Sequence, residues 1–401
     1  MKIALYYPWI YLTSGAERTV CEYVKHSRHD VTIFTSHFEP ERTFPELSQM
    51  GVVELGHVSV KRSPGAFAHA VWTMLRTRLP MEQFDALIVV SDGIGDLLLL
   101  RNASRPAVCL SLTPLRIAFD EHYAARYMES LPAHKALLIR AGAAVYRSLN
   151  RFASRSYRKV VTNGRETRRR VVKGRLAPVD RIEILNPAIT FHPEAPAATF
   201  ERFFLIAGRI MWTKNIELGI EAFHRFRAAY PDSSTWRLVI AGMVDRKSEP
   251  YLTTLQQLGN TDSRIEFVRD PSDQQLRDLY SRCYSVLYTP FNEDYGLIPL
   301  EAMAYGKPSI AVGRGGPLEV VTHGVDGILS EPDASTFADQ MKRLADDPEG
   351  TKELGRNGYR KAQQHTWANF ASRLDEIMDE VVSTSQTQKF PSAQPMPGAH
   401  Y

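Results

Sequence analysis

Short apolar runs alternate with amphipathic stretches along most of the chain. In the first half, runs rich in Val, Ile, Leu and Tyr are separated by stretches with helical periodicity, such as residues 17–29 and 65–78. This pattern predicts strands at 2–7, 30–36, 52–60, 86–91, 107–111, 159–162 and 182–185. Alternation of strand and helix is typical of a parallel sheet with helices on both faces. The first half is therefore predicted to be a doubly wound α/β domain.

The alternation stops near residue 190 and then starts again. Asn186, Pro187 and the Pro- and Ala-rich residues 193–198 are typical of a linker. Beyond them, the pattern predicts strands at 202–207, 236–241, 265–268, 283–288, 309–312 and 327–329. We therefore predict an N-terminal Rossmann-like domain at 1–190, a C-terminal one at 191–383 and a disordered, Pro-containing tail at 384–401. A return of the last helix to the N-terminal domain stays open.

The composition is that of an ordinary globular protein. The 401 residues are 44% hydrophobic and 23% charged, which excludes a wholly disordered chain. No run reaches the ~18 apolar residues that a membrane span needs, and Pro8 and Glu17 argue against a signal peptide. Three widely spaced cysteines are expected to be buried thiols in a reducing compartment, which favours the cytoplasm. The 12 His residues show no metal-ligand spacing, so no metal site is predicted.

The basic residues are distributed unevenly. The formal net charge is +4, but residues 1–190 carry +10 and residues 191–401 carry −6. Residues 135–175 alone hold 13 Lys and Arg against one acid, and these alternate with apolar positions. A basic amphipathic helix of this kind can lie on anionic lipid. It could equally bind a phosphorylated acceptor or be a solvated face over the core. Nucleic acid is not an expected partner, because no recognised nucleic-acid module accompanies the charge.

The most specific segment is 291–304, Phe-Asn-Glu-Asp-Tyr-Gly-Leu-Ile-Pro-Leu-Glu-Ala-Met-Ala, which follows a predicted strand. Gly296 permits a tight turn, and the proline three residues later is tolerated in a first helical turn. A helix is therefore predicted to begin close to Leu297, and its first N–H groups would form a phosphate cradle. Glu293 lies before this helix and Glu301 about one turn inside it. The two carboxylates would bind different hydroxyl groups of one ligand rather than share a metal ion.

This Glu-x7-Glu arrangement resembles the signature of the retaining glycosyltransferases of family 4. Three further segments resemble the same family: 207–223 with its Gly-Arg and Lys-Asn pairs, 306–308 (Gly-Lys-Pro) and 315–321, which begins Gly-Gly-Pro. The resemblance covers nearly the whole chain and is most specific in the C-terminal half. It implies the α/β GT-B architecture, in which two doubly wound Rossmann-like domains face a shared cleft. It also implies similarity to mannosyl- and hexosyltransferases of surface polysaccharide or lipid-linked oligosaccharide synthesis.

The resemblance implies catalytic roles for Arg209, Lys214 and Glu293. In the family, the matching Arg and Lys bind the diphosphate of a nucleotide sugar, and the Glu contacts the sugar. Two cations aimed at the diphosphate would stabilise the charge that develops as the glycosidic bond breaks. The resemblance also implies retention by same-face attack that the leaving phosphate assists, with no enzymic nucleophile.

Other positions are expected to bind the same donor. The resemblance assigns Glu301 to the ribose and the backbone N–H groups of Leu297 and Ile298 to a phosphate. Gly15 lies in the loop 13–18, which resembles the Gly-Gly-Ala-Glu-Arg loop of the family, and it would let the backbone approach the donor across the cleft. No cofactor and no metal are expected, because cations and a helix N-terminus already meet the charge of the diphosphate.

The acceptor side is less well specified. Residues 111–120 resemble a block that usually reads His-Thr-Pro-x-Arg in the family, but Leu112 stands at the His position. Leucine cannot donate a hydrogen bond to a sugar, so the mannosyl specificity is not carried over. Arg116 is a candidate contact for an acceptor or phosphate, and a structural salt bridge with Asp120 is an equal alternative.

These observations together predict a retaining glycosyltransferase. It would transfer a hexosyl unit from a nucleotide diphosphate-sugar to a hydroxyl acceptor, in the synthesis of a polysaccharide, glycolipid or other glycoconjugate. The acceptor is expected to be lipid-linked or anionic, with the basic residues 135–175 in contact with the cytoplasmic face of a membrane. Two alternatives stay open: a sugar-nucleotide epimerase on the same fold, and a non-catalytic subunit that binds a sugar nucleotide.

Overall fold

The computed structural model describes residues 1–59, 64–91, 93–129, 131–190, 196–230 and 232–389. Contacts divide the chain into two compact units. The first unit comprises Met1–Asn163, Thr167–Leu185 and the described chain from Ala368 onward, and the second comprises Gly164–Glu166 and Asn186–Trp367. Parts of the predicted linker (191–195) and of the predicted tail (390–401) lie outside the described residues.

The first unit is built on a seven-stranded sheet in which neighbouring strands are parallel. Its strands are β1 (Lys2–Tyr6), β2 (Asp30–Thr35), β3 (Val53–Glu54), β4 (Ala86–Ser91), β5 (Ala107–Ser111), β6 (Tyr157–Thr162) and β7 (Ile182–Ile184). Their spatial order is β3-β2-β1-β4-β5-β6-β7. Strand β4 is buried along its whole length, as expected for a parallel strand covered on both faces.

Helices follow the strands of the first unit. They are α1 (Gly15–His26), α2 (Pro45–Gln49), α3 (Pro64–Arg76), α4 (Leu99–Asn102), α5 (Arg116–Phe119), α6 (Glu121–Glu129), α7 (Ala133–Ser154) and α8 (Arg165–Gly174). Helix α7 buries Ala143, Tyr146, Asn150 and Ala153, which lie on one face at helical spacing. The long basic segment of the sequence therefore begins as a helix that packs on the sheet by a narrow face.

The strand predicted at 52–60 is much shorter than expected. Strand β3 has two residues, and Gly56 beyond it adopts a φ of +59°, which is a left-handed conformation that glycine favours. The chain then turns, although the N–H groups of Leu55 and Val58 still donate to the carbonyl oxygens of Thr35, the last residue of β2, and of Ser36, which follows it. Residue 60 lies outside the described residues. The valines at 52, 53, 58 and 60 favour a strand by propensity, which is why the sequence predicted a longer one.

The second unit contains a six-stranded parallel sheet. Its strands are β8 (Phe203–Ala207), β9 (Arg237–Gly242), β10 (Ile265–Arg269), β11 (Ser285–Tyr288), β12 (Ser309–Val312) and β13 (Ile328–Ser330). Its helices are α9 (Ile216–Ala229), α10 (Glu249–Gly259), α11 (Asp273–Arg282), α12 (Leu297–Ala304), α13 (Pro317–Val320), α14 (Ala334–Asp346) and α15 (Pro348–Ala362). The strand order is β10-β9-β8-β11-β12-β13. Successive strands are added on one side of β8 up to β10, and from β11 onward they are added on its other side. In such sheets ligands bind at this switch point, outside the carboxyl ends of the strands.

The last helix, α16 (Trp367–Lys389), packs on the first unit. Its buried Asp375 accepts hydrogen bonds from the Tyr23 hydroxyl (2.9 Å), the Ser27 hydroxyl (2.7 Å) and the backbone N–H of Arg28 (2.9 Å). The second unit thus ends at Trp367 rather than at the predicted residue 383. The helix also continues through residues 384–389, which the sequence assigned to a disordered tail.

Two simpler expectations concern cysteines and membrane spans. Cys21, Cys109 and Cys283 are all buried free thiols, as predicted. Within the described ranges, no helix combines the length and the apolar character that crossing a bilayer requires. The α/β fold class with two doubly wound halves is confirmed.

Candidate functional site

The predicted donor residues of the second unit lie on two neighbouring loops. Arg209 and Lys214 follow β8, and Glu293 and Leu297 follow β11. Strands β8 and β11 pair in parallel, with Ser285 opposite Phe204. The two loops therefore leave the same edge of the sheet, on either side of its switch point.

The loop after β8 is held tightly against the rest of the unit. Gly208 has a φ of +109°, and a Cβ atom there would lie 2.7 Å from Cδ1 of Ile298. A Cβ atom on Gly242 would lie only 1.7 Å from the carbonyl oxygen of Gly208, so that position also requires glycine. Arg209 comes next and is exposed, and no ion-pair partner is found for it within the described part of the chain. Its guanidinium group is available to a ligand.

Lys214 forms an ion pair with Glu293, although the two residues are 79 positions apart. Lys214 ends a short 3₁₀ turn, and its carbonyl oxygen accepts a hydrogen bond from the Thr289 hydroxyl at 2.8 Å. The Tyr288 hydroxyl also donates to Oε2 of Glu293, at 3.1 Å. The side chains of Lys214 and Glu293 are 19% and 20% exposed, so a ligand can reach both.

Two glycines position the loop that carries Glu293. The N–H of Gly316 donates to the carbonyl oxygen of Glu293 at 2.8 Å, and Glu293 and Gly315 form a parallel bridge. A Cβ atom on Gly315 would lie 2.6 Å from that carbonyl oxygen, and one on Gly316 would lie 2.0 Å from the carbonyl oxygen of Tyr295. The sequence identified these glycines only by resemblance. Glycine is required at both positions because the two loops pack so closely that a side chain has no room.

Helix α12 begins at Leu297, as predicted from the sequence. Its N-cap residue is Gly296, with a φ of +114°, and no side chain caps the helix. The first N–H groups of a helix have no acceptor within the helix, and the dipole makes this end positive. The N–H groups of Leu297 and Ile298 therefore point toward a place that favours an anion.

Glu301 lies one turn into α12 and is partly buried. Its carboxylate accepts a hydrogen bond from the Tyr280 hydroxyl at 2.8 Å, and Tyr280 stacks on Tyr305 with ring centroids 5.6 Å apart. Burial raises the pKa of Glu301, while the Tyr280 hydrogen bond and the charge of Lys214 partly oppose that rise. Sequence reasoning missed Tyr280 and Tyr288. Only the position of Tyr288 at a predicted strand end could have indicated a role.

The comparisons with known proteins fit this arrangement. The model of the family described as glycosyl transferases group 1 matches residues 189–361. This segment is called the group 1 domain below, after the family that it matches. All the donor residues predicted in the second unit fall within the group 1 domain.

Similar proteins extend the comparison. The chain is 34% identical over 189 residues to alpha-1,3/1,6-mannosyltransferase ALG2 of Mus musculus, a match that covers 45% of each chain. The chain spans about half the length of the curated relatives it matches. Among solved structures, it resembles sucrose-phosphate synthase from Thermosynechococcus elongatus (TM-score 0.73, 16% identity, 96% of this chain and 100% of that one). It also resembles Anabaena HepE in complex with UDP-glucose (TM-score 0.71, 17% identity, 95% and 100%). These similarities show that the fold is GT-B.

Two predicted site residues, Gly15 and Arg116, lie in the first unit, outside the group 1 domain. Gly15 is the exposed first residue of α1, and the Ser14 side chain caps that helix by accepting from the N–H of Ala16. Arg116 donates to Oδ2 of Asp120 from Nε at 3.0 Å and from Nη2 at 2.8 Å. The structural salt bridge, which was the alternative for Arg116, is therefore present.

Proposed function

We propose that the protein transfers a hexosyl unit, with retention, from a nucleotide diphosphate-sugar to a hydroxyl acceptor. The group 1 domain, the similarity to a mannosyltransferase and the fold shared with the UDP-glucose complex of HepE support this proposal. The observation that carries it is the set of groups at the switch point of the second unit. Two cations, one carboxylate, a helix N-terminus and a second carboxylate one turn into that helix lie there, on two adjacent loops and the start of α12.

The cationic groups would act on the diphosphate. As the glycosidic bond breaks, the leaving diphosphate gains negative charge, and Arg209, Lys214 and the N-terminus of α12 would stabilise it. Lys214 already contacts the carboxylate of Glu293. The lysine would therefore sit between the sugar-binding carboxylate and the phosphate, and it would hold the two parts of the donor in register. Because these groups already meet the charge, we expect transfer to need no divalent metal.

The carboxylates would bind hydroxyl groups. Glu301 would accept hydrogen bonds from the ribose hydroxyls, because an ionised carboxylate is an acceptor only. Glu293 would accept hydrogen bonds from sugar hydroxyls. The Tyr288 hydroxyl, which donates to its Oε2, would hold the carboxylate in place. Neither carboxylate is assigned as a nucleophile. Retention would follow from attack of the acceptor on the face that the leaving phosphate occupies.

Donor turnover tests this proposal. The purified chain should release a nucleoside diphosphate from one of a panel of UDP-, GDP- and ADP-sugars when a membrane extract supplies the acceptor. Nuclear magnetic resonance of the product should show the same anomeric configuration as the donor. No release with any donor would contradict transferase activity. An isomeric nucleotide sugar formed without acceptor would identify an epimerase, and binding without turnover would identify a sugar-nucleotide-binding subunit.

We also propose that the outward face of α7 contacts an anionic membrane surface on the cytoplasmic side. Opposite its buried face, α7 exposes large apolar side chains at helical spacing: Leu137, Leu138, Val145 and Phe152. Arg140 is exposed on the same helix, and Arg155 is exposed just after its last residue. A helix with exposed apolar residues beside arginines suits the interface of a bilayer, where each basic residue contributes ~1 kcal/mol near an anionic surface.

Vesicle sedimentation tests this contact. The full chain should bind vesicles of phosphatidylcholine mixed with phosphatidylglycerol, and added salt should weaken the binding. The double variant Leu137→Glu, Phe152→Glu should bind several-fold less, because a charge replaces each exposed apolar side chain. Val179→Glu changes another exposed apolar residue of the first unit and is the matched control. Equal binding by the double variant and by the control would contradict the assignment to α7.

A further inference from the structure

Three potential metal ligands converge beyond the carboxyl ends of β2 and β3. One ring nitrogen of His37, one of His57 and one carboxylate oxygen of Glu54 all lie within 4.8 Å of one another. The two imidazole rings have centroids 4.9 Å apart, and Nδ1 of His57 lies 3.2 Å from Oε1 of Glu54. This cluster is in the first unit, and none of its residues belongs to the predicted donor site.

The backbone holds the two segments of the cluster together. Thr35 at the end of β2 pairs with Glu54 in β3, so His37 lies two residues beyond the partner of Glu54. The N–H of Leu55 donates to the Thr35 carbonyl at 2.7 Å, and the N–H of Val58 donates to the Ser36 carbonyl at 2.8 Å. The three side chains therefore come from two segments with a fixed register, which would reduce the entropy lost on binding an ion.

The two ring nitrogens of His37 have different surroundings. Its Nε2 lies 2.7 Å from Oε1 of Glu39, whose other oxygen accepts from Nη1 of Arg42 at 2.8 Å. A proton on Nε2, directed at this carboxylate, leaves the lone pair on Nδ1. That atom is buried and has no hydrogen-bond partner among the described residues. Metal-ligating histidines usually donate their other ring N–H to a carboxylate, so Glu39 has the place of an outer-shell partner.

We propose that His37, Glu54 and His57 bind a divalent transition-metal ion of the Zn²⁺ type. Two imidazoles and one carboxylate favour zinc, copper or nickel over Mg²⁺ and Ca²⁺, which prefer sites made wholly of oxygen. Zinc bonds of about 2.0–2.2 Å require the ligand atoms to come closer together than the present separations of up to 4.8 Å. His57 and Glu54 are exposed, so their side chains can move the short distance needed. Water would complete the coordination.

Such an ion would join the loop after β2 to the loop after β3, at the edge of the sheet. Its role would thus be separate from glycosyl transfer. Local spacing in the sequence gave no sign of it, because the ligands stand at positions 37, 54 and 57 and meet only through strand pairing. The expectation that the histidines form no metal site rested on spacing alone.

Zinc binding by the full chain, carrying no histidine tag, tests the proposal. Titration calorimetry should show one equivalent of Zn²⁺ bound, and Co²⁺ in its place should give visible d–d absorption bands. The melting temperature should rise with zinc, because the ion would bind only the folded chain. A wild-type chain that binds no equivalent of Zn²⁺ would overturn the proposal.

Variants locate the ion. Glu39→Gln should weaken zinc binding by about 10- to 100-fold, as changes in an outer-shell partner do. His57→Ala should weaken it further, and this exposed side chain can be removed without opening the core. His122→Ala, which changes an exposed histidine on α6, should leave the affinity unchanged. If His57→Ala bound zinc as tightly as the wild type, the ion would lie elsewhere and the proposal would be wrong.

Discussion

The first six strands of the first unit have the same order as the six strands of the second, but the two units differ in what lies at the switch point. Both sheets reverse direction between their first and fourth strands, β1 and β4 in one and β8 and β11 in the other. In the second unit, Lys214, Glu293 and the uncapped start of α12 lie there. In the first unit, α1 begins there, and polar groups around the start of this helix form hydrogen bonds with one another. The Ser14 side chain caps the helix, and the buried Glu17 accepts from the N–H of Leu12.

This difference shows that the fold supplies a place and the loops supply the chemistry. The second unit leaves a helix N-terminus open and brings a lysine and a carboxylate to it. The first unit closes the start of the helix that follows its first strand, and it carries its excess of basic residues on α7 and α8. An anionic diphosphate would therefore bind the second unit, and an anionic surface would meet the first.

Lys214→Ala should have the largest effect on activity. Removing one cation that stabilises the leaving diphosphate should cost about 3–4 kcal/mol in the transition state, or about 10²- to 10³-fold in kcat/KM for the donor. Nucleoside diphosphate release under steady-state conditions measures this loss. Circular dichroism should show that the variant is folded.

Two controls test whether this loss belongs to the second unit. Lys352→Ala removes a partly exposed lysine that pairs with Glu349 on α15, and it should keep wild-type turnover. Arg116→Ala breaks the salt bridge with Asp120 in the first unit. It should change donor kcat/KM far less than Lys214→Ala does. An equal loss would show that the basic residues of both units act on the donor, and the contrast between the units would fail.

The sequence predicted local features of this site better than the pairing between its parts. The start of α12 followed from Gly296 and a tolerated proline, because both effects act within one turn. The ion pair of Lys214 with Glu293 and the contact of Tyr280 with Glu301 join residues that are far apart in sequence. Such contacts depend on how strands pair and how helices pack, which local propensity does not encode.

The same limit explains the errors in the fold. The strands at 86–91 and 107–111 are buried parallel strands, and their apolar runs identify them at once. The segment 52–60 is richer still in valine, but it lies at a sheet edge and Gly56 ends it early. The position of α16 on the first unit depends on Asp375, whose hydrogen-bond partners lie about 350 residues away.

Gly316→Ala should have the next largest effect. The added Cβ atom would lie 2.0 Å from the Tyr295 carbonyl oxygen, so the loop that carries Glu293 would have to move. Overpacking of this kind costs ~1–3 kcal/mol in stability. A displacement of about 1 Å at a catalytic group can cost 10²-fold in rate. Chemical denaturation and donor turnover measure the two losses.

A glycine of the first unit gives the matched control. Gly142 lies inside α7, and a Cβ atom there would meet nothing within 4 Å. Gly142→Ala should be neutral or stabilising by up to ~1 kcal/mol, because alanine has the higher helix propensity. If Gly316→Ala behaved in the same way, the tight packing of the loop would not be what positions Glu293.

Asp375→Ala should destabilise the first unit without changing donor affinity. The change leaves three hydrogen-bond donors without their acceptor, including the buried Tyr23 hydroxyl. A buried donor left unsatisfied costs ~1–3 kcal/mol. Hydrogen exchange should rise in α1 and α16. Asp379→Ala removes a surface ion pair with Arg28 and should destabilise the unit far less, because solvent screens exposed charges. A changed donor KM in Asp375→Ala would show that the helix acts on the second unit.

Glu301→Gln should have the smallest effect on donor binding, and the pH dependence of donor affinity can reveal this effect. Gln keeps the shape and can still accept from Tyr280, but it loses the charge that strengthens hydrogen bonds from ribose hydroxyls, about 1 kcal/mol or five-fold in donor Kd. Because burial raises the pKa of Glu301, the wild-type carboxylate should take up a proton, and lose donor affinity, at a higher pH than an exposed carboxyl would. Donor affinity of the wild type should thus fall as the pH decreases toward the raised pKa of Glu301, while that of Glu301→Gln should not. Parallel pH profiles for the two proteins would remove Glu301 from the ribose and leave the diphosphate groups as the basis of donor binding.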